Sequence, residues 1–323
     1  MRRRDLLLGL PLLAGGRLAA APAAPITGLT FSPDGRFLLC SGYGEILVRS
    51  VPELRVVRRL PCGLPQIHAL AFHPDGKALA AAGGTPGASG SAHLFSWPAG
   101  KRIGELGASR DLATSLAFNP DGARLAVSGS DRAARVWAMP GPGAPVPSKP
   151  LLTLAGHAGP VLAIAYTADG SLLVTGSADR SLRVWDAGTG GLRRTLTNHT
   201  EIVHCLAARP QSAESGPHPY CVSGGDDRTA RVWQPGLGRM VRIVRGHAGP
   251  VLAVLYSRDG KQLFSAGAEG VVRVIDAESD QVLRSWSPTR EWIYRLALSP
   301  DGRRLAAGDW RGRVFLWEWE AGR

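Results

Sequence analysis

The 323-residue chain is 44% hydrophobic and 7% aromatic, enough to bury a large core, and no second domain is visible in it. Its formal net charge of +12 raises nucleic acid as a ligand. The basic residues count against that, because only Lys77, Lys101, Lys149 and Lys261 are lysine. Arginines such as Arg135, Arg183, Arg231 and Arg273 recur at a fixed place in a repeat instead of gathering beside stacking aromatics.

The chain starts "MRRRDLLLGLPLLAGGRLAAAPAAP". A basic start, a short apolar run from Leu6 to Ala14 and a small-residue site at Ala21, Pro22 and Ala23 are the parts of an export signal, and Arg3-Arg4 resembles a twin-arginine signal. The run is too short to span a bilayer. Residues 1–25 are therefore expected to send a bacterial protein to the periplasm or cell envelope; a retained, disordered tail on a cytoplasmic protein is the alternative.

From residue 26 one pattern recurs. An Asp-Gly turn stands at "SPDG" 32, "HPDG" 73, "NPDG" 119, "TADG" 167, "SRDG" 257 and "SPDG" 299, with short apolar runs such as "LAIAY" and "LLVTGSA" on either side. Two strand-length runs joined by such a turn read as a β-hairpin. A third run follows, as in "RAARVWA", "RSLRVWD" or "RTARVWQ", and then usually a fourth such as "LRRTL". Seven units of this order cover 26–60, 67–106, 113–154, 155–196, 197–244, 245–286 and 287–323. The octapeptide "GHAGPVLA" opens the fourth unit and, letter for letter, the sixth.

Fixed-period units of four strands ending in Trp-Asp or a variant resemble the WD-repeat family over roughly nine-tenths of the chain. The resemblance implies an all-β, seven-bladed propeller over 26–323 as one domain, expected as a monomer. It also implies a hydrogen-bonded tetrad in each blade: His157, Thr175, Asp179 and Trp185 in the fourth, and His199, Ser223, Asp227 and Trp233 in the fifth. The repeated histidine is thus expected to be a structural staple. The third unit keeps Ser128, Asp131 and Trp137 with Ser109 at the His position. The sixth keeps His247 and Ser265 beside Glu269 and Ile275, so Ile275→Trp is expected to be tolerated. The seventh keeps only Trp317 and ends after its third strand, which leaves two possibilities: a three-stranded blade, or closure by residues 18–24.

No hydrolase elbow, P-loop, zinc-protease motif or Asp-rich loop is present, and Cys40, Cys62, Cys205 and Cys221 show no metal-binding spacing. No metal or cofactor is expected. Cys205 and Cys221 are placed diagonally on neighbouring strands, which favours free thiols over a bridge. The glycine-rich run 83–97 is expected as an enlarged, flexible surface loop of the second blade.

Function is then expected where the repeats differ, on the face that propeller relatives use, made by loops entering the first strand and loops joining the second to the third. The "GHAGPVLA" blades are bland there, with Pro160, Leu162, Pro250 and Leu252. Blade seven instead offers Arg290, Glu291, Trp292, Tyr294 and Trp310, a hot-spot composition. Gln66, His68, Arg110, Asp111, Thr114, Glu201, His204 and Asp226 are further non-consensus positions. The expected function is a non-catalytic scaffold for a protein or peptide partner. A propeller enzyme of lactonase or quinoprotein type is the alternative, and it needs ligands around the channel. The first-strand series Thr27, His68, Thr114, Leu162, His204, Leu252 and Tyr294 contains no carboxylate.

Overall fold

The turns follow from their residues. Gly35, Gly76, Gly122, Gly170, Gly260 and Gly302 all have φ between +69° and +76°, the left-handed region that a residue with a Cβ avoids. The polar residue opening most of these turns pins the hairpin shut. Ser32, Asn119, Thr167, Ser257 and Ser299 each accept a bond from the backbone N–H five residues on, at 2.7–3.0 Å.

The structure, a computed structural model, describes residues 24–141, 144–211 and 218–319. These form seven antiparallel sheets, six of four strands and one of three, each in simple chain order, with no helix among the described residues. Blade four is typical: Val161–Tyr166, Leu172–Ser177, Leu182–Asp186 and Leu192–Leu196. The last blade has Ile293–Leu298, Arg304–Asp309 and Val314–Glu318. The expected seven-bladed all-β propeller is therefore present, with three described strands in its last blade. The export signal, and the closing strand considered at 18–24 up to residue 23, lie outside the described residues, as do 212–217.

The core is divided into seven apolar clusters, one between each pair of neighbouring blades. Leu94 and Leu106 of blade two meet Leu125 and Trp137 of blade three, for example. The cluster that closes the ring joins Ile26, Leu38 and Cys40 to Ala297 and Ala306. The Ile26 N–H also donates to the Asp309 carbonyl at 3.0 Å. With both faces of every sheet covered, each blade is stabilised by two neighbours, and area buried at these contacts is the main favourable contribution.

Two expectations need correction. The run 83–97 is not an enlarged loop: Ala78–Thr85 and Ser89–Ser96 pair to the end, Thr85 opposite Ser89, leaving a tight turn at 86–88. Small residues permit this, since a Cβ on Gly90 would sit 2.2 Å from the Asp111 carbonyl oxygen. Ile275, at the Trp position of blade six, is inaccessible and packed with Val254, Tyr256, Leu263 and Ala277. Ile275→Trp is therefore expected to cost about 1–3 kcal/mol by overpacking, seen as a lower melting temperature; an unchanged one would show that the site has room.

All four cysteines are free and buried. Cys205 lies opposite Gly224 and Cys221 opposite Ala208, so the two are diagonal. Burial pushes both thiols up to about 12, which leaves them as inert apolar residues.

Candidate functional site

In blades two to seven the ladder between first and second strands skips one residue near its upper end, and the skipped residues are His68, Thr114, Leu162, His204, Leu252 and Tyr294. A bulge of this kind re-aims a side chain. Together with Thr27 they line one cavity of about 710 Å³ at the mouth of the central bore. The first-strand series read from the sequence is thus one ring around a common space.

One residue further along each strand, a second ring borders the bore below: Ala69, Ser115, Ala163, Cys205, Ala253 and Arg295, with Gly28 in the same place in blade one. Six of these seven residues are small, and that room admits the seventh, Arg295. Its Nε–H donates to the Thr27 carbonyl at 2.7 Å and its Nη2–H to the His68 carbonyl at 3.0 Å, tying blade seven to blades one and two. Burial, with Arg295 adding to it, lowers His68 to about 4, so this imidazole is neutral at physiological pH. His204 and Asp226 form a pair across the wall, Nε2 to Oδ1 at 2.7 Å.

Above the cavity stands an aromatic arc. The Tyr294 ring is 6.2 Å from Trp292 and 6.0 Å from Trp310. The Trp310 N–H donates to the Trp292 carbonyl at 2.9 Å and joins the two loops. Trp292 is 48% and Trp310 53% exposed, so neither fills the space left by the missing tetrad. Thr289, Arg313 and Asp309 bond to one another there instead. Trp317 stacks outward on Trp286 at 5.2 Å.

Of the residues singled out in the sequence, Trp292, Trp310, Tyr294, His68, His204, Asp226, Gln66 and Thr114 line the cavity, whereas Arg290 and Glu291 do not. Glu291 is held by Arg311 at 2.6 Å. Arg110, Asp111 and Glu201 also lie off the wall; Asp111 caps the Gly87 and Leu112 N–H groups. Leu162, Pro250 and Leu252, expected to be bland, are part of the wall. Sequence reasoning missed Tyr43, 63% exposed at the rim, and Arg295. An in-phase alignment of the second ring would have exposed Arg295 as its one large member.

The tetrads sit inside the blades, away from this cavity. In blade four Trp185 Nε1–H donates to Thr175 Oγ1 at 2.9 Å, Thr175 lies 2.8 Å from His157 Nε2, and His157 Nδ1 lies 2.8 Å from Asp179 Oδ2. Blade five repeats the chain through Trp233, Ser223, His199 and Asp227 at 2.7–2.8 Å. One proton order satisfies every member: indole to hydroxyl, hydroxyl to Nε2, and Nδ1–H to carboxylate. Blade six keeps the Ser265, His247 and Glu269 links at 3.2 and 3.0 Å. In blade three, where Ser109 replaces the histidine, Trp137 Nε1 and Asp131 Oδ1 are buried without a partner. Three of the four recurrent arginines belong to the same device: Arg135, Arg231 and Arg273 each pair with the tetrad acid four residues earlier. Among the described residues no group of three His, Cys, Asp or Glu side chains converges.

Residues 18–48, 100–138, 148–186, 190–234, 238–276 and 280–318 match the WD40 family, described as WD domain, G-beta repeat. The last five segments are out of phase with the sheets, each taking the outer strand of one blade and three strands of the next. The first three strands of blade two fall outside the matched segments and still build a regular sheet. The chain is also 36% identical over 81 residues to the Periodic tryptophan protein 2 homolog of Dictyostelium discoideum, which is 24% of this chain and 9% of that protein's length.

Proposed function

We propose that this chain, which belongs to the WD40 family, is a non-catalytic scaffold whose upper face takes a peptide segment of a protein partner. Propellers of this family typically serve as protein-interaction scaffolds. The observation that carries the reading is the exposed arc of Trp292, Tyr294 and Trp310 over the mouth of the bore. Large aromatics at the edge of an apolar cavity are anchors of the hot-spot kind, offering much area at little entropic cost.

Trp292→Ala or Trp310→Ala is expected to weaken a captured partner by about 2 kcal/mol or more, measured by titration calorimetry with wild type alongside. Pro160→Ala, outside the cavity, is the control. Pro250 is unsuitable because it lines the wall. Melting temperatures close to wild type are required of each variant. Equal affinity in all of them would exclude this face.

A further inference from the structure

Resting on that reading, we propose that the partner segment carries an Asp or Glu side chain that enters the mouth of the bore and pairs with Arg295, while flanking apolar residues pack on Trp292, Tyr294 and Trp310.

The argument starts from what the Arg295 guanidinium has and lacks. Its three bonds all go to carbonyls, those of Thr27, His68 and, at 3.4 Å, Tyr294. A guanidinium has more N–H donors than these take up, and its charge persists at any physiological pH. No carboxylate of the described residues forms an ion pair with it. Among the described residues the one carboxylate on the cavity wall, Asp226, is engaged by His204. His68, whose backbone carbonyl holds Arg295, has a neutral ring and adds no second positive charge. At this level the other six blades present only small side chains, and none of those forms an ion pair with Arg295.

A half-buried cation with spare donors, at the base of a cavity with largely apolar walls, attracts a carboxylate more strongly than one in open water would. It repels Lys and Arg side chains for the same reason. On the same face, but off the cavity wall, Arg132, Arg228 and Arg290 are exposed and form no ion pair among the described residues. Two of them are fixed at the turn between second and third strands, with φ of +67° and +60°. At about 710 Å³ the cavity is far larger than an inorganic anion and of the size that accepts a peptide side chain with its neighbours. Charge and aromatic surface together select an acidic residue set among apolar ones.

The test uses the full chain and a phage-displayed library of short random peptides. Enriched peptides are resynthesised in pairs, each with its acidic residue and with the matching Asn or Gln, and titrated against wild type, Trp292→Ala and Arg295→Gln. The enriched set is expected to share an acidic residue beside an aromatic or aliphatic one. The amide change should weaken binding about tenfold or more, and Arg295→Gln should remove that difference, so that acidic and amide peptides bind alike. If Arg295→Gln does not fold, the peptide pairs on wild type still decide. Peptides that depend on Trp292 but tolerate the amide overturn the acidic assignment and leave the scaffold reading standing. Peptides indifferent to Trp292, or no enrichment, overturn both. Tight binding of a short single-stranded oligonucleotide, lost in Arg295→Gln, would replace the peptide with nucleic acid.

Discussion

Trp233→Ala and Trp185→Ala are each expected to lower stability by about 3–5 kcal/mol, near the upper end for a single substitution. Both rings are buried between blades, Trp233 completely, and each indole N–H ends a tetrad. The alanine change opens a cavity at a blade–blade contact and leaves the Ser223 or Thr175 hydroxyl short of a donor. A sharper comparison separates the two contributions. Trp233→Phe and Trp137→Phe remove similar volume from equivalent positions, but Trp137 Nε1 has no partner to lose. The first change should therefore cost about 1–3 kcal/mol more than the second. Chemical denaturation of the two variants checks this, and equal losses would mean that the tetrad bond contributes nothing beyond packing.

Asp227→Ala is expected to cost a comparable 3–5 kcal/mol, the scale for stranding the partner of a buried charge. This carboxylate accepts from His199 Nδ1, the Thr200 and Thr229 N–H groups, the Thr229 hydroxyl and Arg231. Burial alone would raise its pKa, yet the bonds from His199 and Thr229 hold it well below the usual carboxylate range. The same balance takes Asp179 down to about 2. A depressed carboxylate contributes stability that is present above its unfolded pKa of 3.8 and lost as pH falls through the folded value. His157 and His247 act in a higher window. Burial lowers both below 6.5, against the pull of Asp179 and Glu269, so the unfolded chain binds protons first as pH drops below 6.5. Melting temperature should thus decline in two stages, first below pH 6.5 and again below pH 4. A flat profile between pH 7 and 5 would show that the histidines titrate alike in folded and unfolded chains.

What the sequence determined by itself is everything that repeats within one blade. An Asp-Gly turn needs only its own residues to take a left-handed φ, and alternating apolar runs on either side pair across it. His157, Thr175, Asp179 and Trp185 lie within a single unit, and the resemblance to the WD-repeat family implied that they meet. The register that makes His68, His204 and Tyr294 a common series was legible for the same reason. Ring closure decided the rest. Whether the seven residues of that first-strand series face one cavity depends on where blade seven meets blade one, a contact made by Ile26, Ala297 and Ala306 far apart in the chain. The expected loop at 83–97 became strand because Gly90 could approach the Asp111 backbone, a contact between the third strand of blade two and the loop entering blade three. Ile275 became a closed site because its neighbours had packed around the smaller side chain. Above all, Arg295 stands out in sequence only by its size within an in-phase alignment, and nothing there says what it touches. Only the assembled ring brings it to the carbonyls of Thr27 and His68, because side chains on different blades share the axis through geometry that no local pattern encodes.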